Sequence, residues 1–204
     1  MSGDTKILLV IAALTAGVIG FIVINSGSAT QSYDPAIINR GGVATGSATP
    51  KVTLTEFSDF FCPACHAVNP TVYQIIQKDG DRVKLVYRHF PLPQHPLAFK
   101  AAQAAEAANL QGKFLVYRDR LFDEQESLKD SSFETIAASL GLDVAKFNKD
   151  INSTEVIKKV QLDADDAKKL NLPGTPSFFI NGEKIELATY PDLVKAVEDK
   201  LIQK

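Results

Sequence analysis

Residues 52–65 read VTLTEFSDFFCPAC, and this stretch decides the fold. Its first half, Val52-Thr53-Leu54-Thr55-Glu56-Phe57, is rich in β-branched residues and is bounded by Pro50 and by Ser58-Asp59, which reads as a strand. Its second half ends in Cys62-Pro63-Ala64-Cys65. From Pro63 to Gln77, an apolar stripe at Ala67, Val68, Val72, Ile75 and Ile76 reads as a helix. Pro63 suits the first helical turn, because its missing N–H would have had no partner there. The cysteine pair therefore falls where a strand turns into a helix. The thiolate is the reactive form of cysteine, and a helix N-terminus offers it unpaired N–H groups and partial positive charge. Cys62 is expected at the helix mouth, exposed, with its pKa below the ~8.5 of a free thiol. Cys65, about one turn further on, is placed to attack a mixed disulfide at Cys62.

Outward from this junction, Val83 to Phe90 (VKLVYRHF) reads as a second strand after the Asp79-Gly80-Asp81 turn. Strand, helix, strand in that order implies a parallel pair with a right-handed crossover. Residues from about 95 to 170 look wholly helical. Ala101 to Leu110 and Phe114 to Phe122 are separated by Gln111-Gly112. Ser131-Ser132-Phe133-Glu134 fits a capping box, Gly141 stops that helix and Asp143 caps the next. Ile157, Val160, Ala164 and Ala167 then recur at helical spacing. After Pro173 come a strand at Ser177 to Ile180, an Asn181-Gly182 hairpin signal, a strand at Glu183 to Leu187 and a helix at Pro191 to Ile202. The order βαβ, helical insertion, ββα describes an α/β domain over 51–204.

Ahead of this domain, Ile7 to Ile24 runs without a charge, and its 18 residues make a helix about 27 Å long, enough to span a bilayer's hydrocarbon. Two readings stand: a cleaved signal peptide, with small residues at Ser26, Ser28 and Ala29, and an uncleaved anchor, favoured because the run exceeds a signal peptide's usual apolar length. Residues 1–24 are thus expected to be a single N-terminal transmembrane helix with the rest of the chain extracytoplasmic. Residues 25–50 are small and polar and read as a flexible linker.

Of the 204 residues 45% are hydrophobic and 23% charged, with a net charge of −2 and no basic run, which argues against nucleic acid as a partner. Two cysteines cannot form a disulfide framework. A structural bridge across so short a loop would stabilise little. A zinc site drawing on Cys62, Cys65, His89 and His95 is the sharper rival, although the gap from Cys65 to His89 is longer than zinc fingers use.

The domain resembles the thioredoxin superfamily and, within it, the DsbA family of thiol-disulfide oxidoreductases. The features that carry the resemblance are Phe61-Cys62-Pro63-Ala64-Cys65, Pro70 within the following helix, the late Gly174-Thr175-Pro176, and the helical insertion. The resemblance implies a thioredoxin fold, Cys62 as nucleophile and Cys65 as resolving cysteine. It also implies a cis Pro176 facing the pair, with Thr175 offering backbone hydrogen bonds to an extended substrate segment. Glu56, six residues before Cys62, would exchange a proton with Cys65; an outward-facing strand residue is the plainer alternative. Phe61, with Phe60, would form an apolar rim for unfolded substrates, unless these rings are core. Protein substrates and a membrane-embedded redox partner are implied, with no cofactor and no metal. Ala64 stands where strongly oxidising members carry histidine, and Thr175 is closer to the isomerase branch. An oxidase is the favoured reading, with a reductase or isomerase, or a non-catalytic chaperone-like module, as alternatives.

Overall fold

The computed structural model describes residues 32–203; the apolar run 7–24, expected as an anchor, lies outside them. Among the described residues no helix is long and apolar enough to cross a membrane. The elements in chain order are α1 (Pro35–Ile38), β1 (Val43–Gly46), β2 (Val52–Ser58), α2 (Pro63–Asp79), β3 (Val83–His89), α3 (Ala98–Asn109), α4 (Phe114–Asp123), α5 (Ser132–Ser139), α6 (Val144–Asp150), α7 (Thr154–Lys169), β4 (Ser177–Ile180), β5 (Glu183–Ile185) and α8 (Pro191–Ile202). The sheet order is β1-β3-β2-β4-β5. β2 and β3 run parallel, as the βαβ reading requires, while β4 runs antiparallel to β2 and β5 antiparallel to β4. This is a thioredoxin-like α/β fold, with helices α3 to α7 inserted between its halves.

Strand alternation divides the core. Val52 and Leu54 of β2, Val83 and Leu85 of β3, and Phe178 and Ile180 of β4 pack beneath α2 and α8. Phe57 and Phe179 point the other way, onto Ile38, Ala167, Leu170 and Leu172. A third cluster fills the insertion and reaches Phe60, Cys65 and Tyr87 beside the motif. The β4–β5 turn places Asn181 at φ 51° and Gly182 at φ 85°, the left-handed conformations that this dipeptide tolerates in a tight hairpin. β5 stops at Ile185, two residues short of the Leu187 expected from the sequence.

The expected flexible linker over 25–50 is corrected for its second half, which is built into the fold. Asp34 caps α1 by accepting from the Ala36 N–H at 2.9 Å, and β1 pairs antiparallel with β3. The reason lies in long-range contacts. Ile38 is fully buried, and Arg40 hydrogen-bonds Asp166 on α7. Gly42 lets the chain pass close to β3, since a Cβ there would sit 2.6 Å from Arg88 Cδ and 2.7 Å from the Tyr87 carbonyl.

Arg88 of β3 is the hub of this contact. Its Nε donates to Asp163 at 2.6 Å, its Nη2 to Asp166 at 2.7 Å and its Nη1 to the Ile37 carbonyl at 3.0 Å, all three charged side chains being fully buried. The expected face of α7 is buried at Val160, Ala164 and Ala167, joined by Val156, Asp163 and Asp166, whereas Ile157 departs from expectation and is 39% exposed. The capping box at Ser131 and Glu134 does not form either. Ser131 has helical backbone angles and makes no side-chain cap, while Glu134 accepts from Asn148 at 2.9 Å.

Candidate active site

Cys62 is the N-cap of α2, with extended backbone at φ −82° and ψ 120°, and Pro63 follows at the first helical position. The junction is held from two sides. The Asp59 carboxyl accepts from the Phe61 N–H at 2.8 Å, from the Leu92 N–H at 2.8 Å and from His95 Nδ1 at 2.7 Å, while its carbonyl accepts from the Cys62 N–H at 3.1 Å. From the insertion, Gln125 Nε2 donates to the carbonyls of Phe60 at 2.8 Å and Cys62 at 3.1 Å. These bonds fix the turn that presents the cysteine pair.

Both cysteines are free thiols, Cys62 8% exposed and Cys65 fully buried. The expected open exposure of Cys62 is therefore corrected: the residue is buried between Thr175 and Gln125 of the insertion. The Thr175–Pro176 peptide is cis, as the resemblance implies. Cys62 Sγ donates to the Thr175 carbonyl at 3.3 Å. The Cys62 thiolate is stabilised first by a hydrogen bond from Cys65, then by the Thr175 side chain and by the Cys65 and Ala64 N–H groups. Against the opposing effect of burial, these lower its pKa from 9.0 to about 5. Cys65 goes the other way. Burial first, then the hydrogen bond it gives Cys62 and the Glu56 charge, raise it far above an ordinary thiol.

Glu56 sits under α2 and is 2% exposed, which removes the outward-facing reading. Burial raises its pKa, and the Arg118 charge and the Ser58 hydroxyl pull it back. Phe60 is core, 1% exposed, stacked on Tyr87 with ring centres 5.5 Å apart. Phe61 is half-buried, its ring centre 6.5 Å from that of His95. The rim reading thus fails for Phe60 and stays open for Phe61. The zinc arrangement is not assembled, because His89 bonds Glu106 at 3.1 Å and His95 bonds Asp59.

The structure therefore brings Cys62, Pro63, Ala64, Cys65, Thr175 and Pro176 together, with Glu56 beneath. A cavity of about 350 Å³ adjoins the cis bond, lined by Pro173, Gly174, Thr175, Lys184 and Tyr190 among others. The sequence reading missed Asp59, Gln125, Ser58 and Arg118. Only Arg118 carried a local signal, a charge within the stripe Phe114, Tyr117, Leu121, Phe122, all of which is buried.

The thioredoxin family profile matches residues 39–199. Among solved structures, a thioredoxin-like oxidoreductase from Silicibacter pomeroyi is 27% identical, with a TM-score of 0.70 over 84% of this chain and 98% of that one. BdbD from Bacillus subtilis, in its oxidised form, shares the fold at 22% identity, with a TM-score of 0.70 over 85% of this chain and 98% of that one. A Na(+)/H(+) antiporter from Mycolicibacterium gilvum is 39% identical over 142 residues, covering 68% of this chain. The aligned stretch is only 23% of the antiporter's length.

Proposed function

Because the chain belongs to the thioredoxin family, we propose that it is a DsbA-like thiol-disulfide oxidoreductase donating the Cys62–Cys65 disulfide to protein substrates. The observation that carries this reading is the asymmetry of the pair. Cys62 is stabilised as a thiolate at about 5, while Cys65 is held neutral by burial. A low-pKa thiolate favours the reduced enzyme and so makes its disulfide a better oxidant. Here the Cys65 thiol, Thr175 and two helix N–H groups supply the stabilisation that a histidine at the Ala64 position would otherwise have given.

In this mechanism a substrate thiolate attacks Cys62 Sγ, the half of the disulfide nearer the surface. The Cys62–Cys65 bond breaks, and Cys65 leaves with the electron pair. Its burial makes the thiolate unfavourable, so it takes a proton, which Glu56 is placed to supply. A second substrate thiolate then attacks the substrate sulfur of the mixed disulfide and displaces Cys62, the better leaving group. The extended substrate segment lies along Thr175–Pro176 over the adjoining cavity, with Phe61 as apolar contact. No cofactor takes part. The two electrons pass on to a membrane-embedded redox partner, which restores the disulfide. The apolar run 7–24 supports a domain held outside the cytoplasm by a membrane tether.

The test is the equilibrium potential of the cysteine pair in the full-length chain, titrated against glutathione. A disulfide donor gives a value nearer ~−120 mV than ~−270 mV. A value at the reducing end turns the reading to a reductase. No reversible two-electron transition leaves a binding module instead.

A further inference from the structure

Arg118 is a buried cation that the exchange described above does not use. Its side chain is 2% exposed. Arginine rarely enters a core unless paired, and here the pairing is lopsided. Nη2 reaches Asn69 Oδ1 at 2.5 Å, and Nε reaches Asp119 Oδ1 at 3.2 Å, whereas Nη1 is buried with no hydrogen-bond partner. The guanidinium carbon lies 5.9 Å from the centre of the Tyr87 ring. The Tyr87 hydroxyl is also buried without a hydrogen-bond partner, and so is the Ser58 hydroxyl. Glu56 is what these groups share. It is the register partner of Tyr87 across the β2–β3 pair, and it lies on the same face of β2 as Ser58. Three incompletely bonded donors, on Ser58, Tyr87 and Arg118, are thus buried on the side of the sheet that carries Glu56, next to one buried thiol.

We propose that Arg118 is a positioning residue for disulfide exchange, keeping the Glu56 carboxyl able both to take and to return the Cys65 proton at neutral pH. This rests on the assignment of Glu56 as proton partner of Cys65. When Cys65 resolves a mixed disulfide, its S–H bond breaks and the proton passes to Glu56. The sulfur electron pair forms the bond to Cys62 Sγ, and the bond from Cys62 to the departing thiol breaks. The departing sulfur leaves with that bond's electrons and takes a proton from water. The enzyme dithiol is oxidised, and the departing sulfur is reduced. In the donating direction the proton travels back.

The groups facing Glu56 are Cys65 from α2, Tyr87 from β3, Arg118 from α4 and Ser58 from its own strand, while β4 sets Phe178 opposite it. Burial drives the carboxyl toward its neutral form, and Arg118 is the one cation opposing this. Without it, the balance at Glu56 moves further toward the neutral acid, which is the poorer acceptor.

The experiment mixes the reduced full-length chain with oxidised glutathione in a stopped-flow instrument. The first phase forms the Cys62–glutathione disulfide, and the second is its resolution by Cys65. Arg118→Met is expected to slow the second phase about tenfold at pH 7 and to move its pH profile to the alkaline side. Arg118→Lys is expected to restore most of the rate. Glu56→Gln is expected to slow the phase similarly, and the double variant to be no slower than Glu56→Gln alone. Arg118→Gln, which keeps an amide for Asn69 without the charge, serves if the Met variant does not fold. A merely structural arginine would leave the pH profile in place and the double variant additive, and that result overturns the inference. An unchanged second phase in Glu56→Gln overturns the Glu56 assignment and this inference with it. Slowing by Glu56→Gln with an unmoved profile in Arg118→Met overturns the inference alone.

Discussion

On the α7 side of the sheet, Arg88 spends each of its three nitrogens on a carboxylate or a carbonyl, and the spare oxygen of Asp163 takes the His89 N–H at 3.1 Å. On the α2 side, Glu56, Ser58, Tyr87 and Arg118 are as deeply buried, yet three of their donors lack hydrogen-bond partners. The difference separates two uses of buried charge. A fully bonded set has one low-energy arrangement and locks the elements that supply it, here the N-terminal segment, β3 and α7. An incompletely bonded set costs stability, and on the proposed mechanism it lies where a proton comes and goes.

The comparison breaks most readily at Arg88. Arg88→Met leaves Asp163 and Asp166 buried without their main cation, and the expected loss is about 3–5 kcal/mol of stability, seen as a fall in Tm, with the glutathione potential unchanged. A small loss would mean that this clasp is no more binding than the site beneath the cysteines.

A second test sharpens the α2 side through Cys62. Its pKa is depressed in the folded chain, from 9.0 to about 5. The reduced fold is therefore stabilised fully above pH 9, and this stabilisation is lost as pH falls toward 5. The oxidised form has no such titration. The Tm gap between reduced and oxidised chain should change in the reduced form's favour across this window. Alkylation of Cys62 in Cys65→Ala should titrate above the wild-type midpoint, since the Cys65 hydrogen bond is the largest stabiliser of the thiolate.

The smallest effect is expected at Glu56. Its folded pKa is raised above 4.5, so the native chain holds an extra proton and stability falls as pH rises through that window. Glu56→Gln removes the fall. Its Tm relative to wild type should rise from pH 4 to pH 7. A variant equally destabilised at both values would mark Glu56 as structural.

The sequence made the junction legible because its determinants are local. Pro63 starts a helix, Asn181-Gly182 turns a hairpin, and the CPAC spacing declares a dithiol. The docked N-terminal segment was not legible. Its β1 is four residues with a glycine at the end, and its anchors are Arg88 and Asp166, far along the chain. Ile157 misled for the same reason, since only the partner strand reveals that Asp163 faces inward. Glu56 was visible only through resemblance, because a strand's alternation does not say which face is covered by a helix. Arg118 was visible but unread, a charge inside an apolar stripe.

The short β1 has one more consequence, for self-association. By pairing with β3 it converts a seven-residue strand edge into a four-residue one, and the opposite margin, β5, has three residues. Edges this short are poor templates for adding a foreign strand. On the proposed function the domain meets unfolded chains, whose extended segments seek such edges. With both margins blunted, a segment bound as proposed along Thr175–Pro176 would be captured beside the reactive sulfur, so capture of a client and chemistry on it would happen at the same spot.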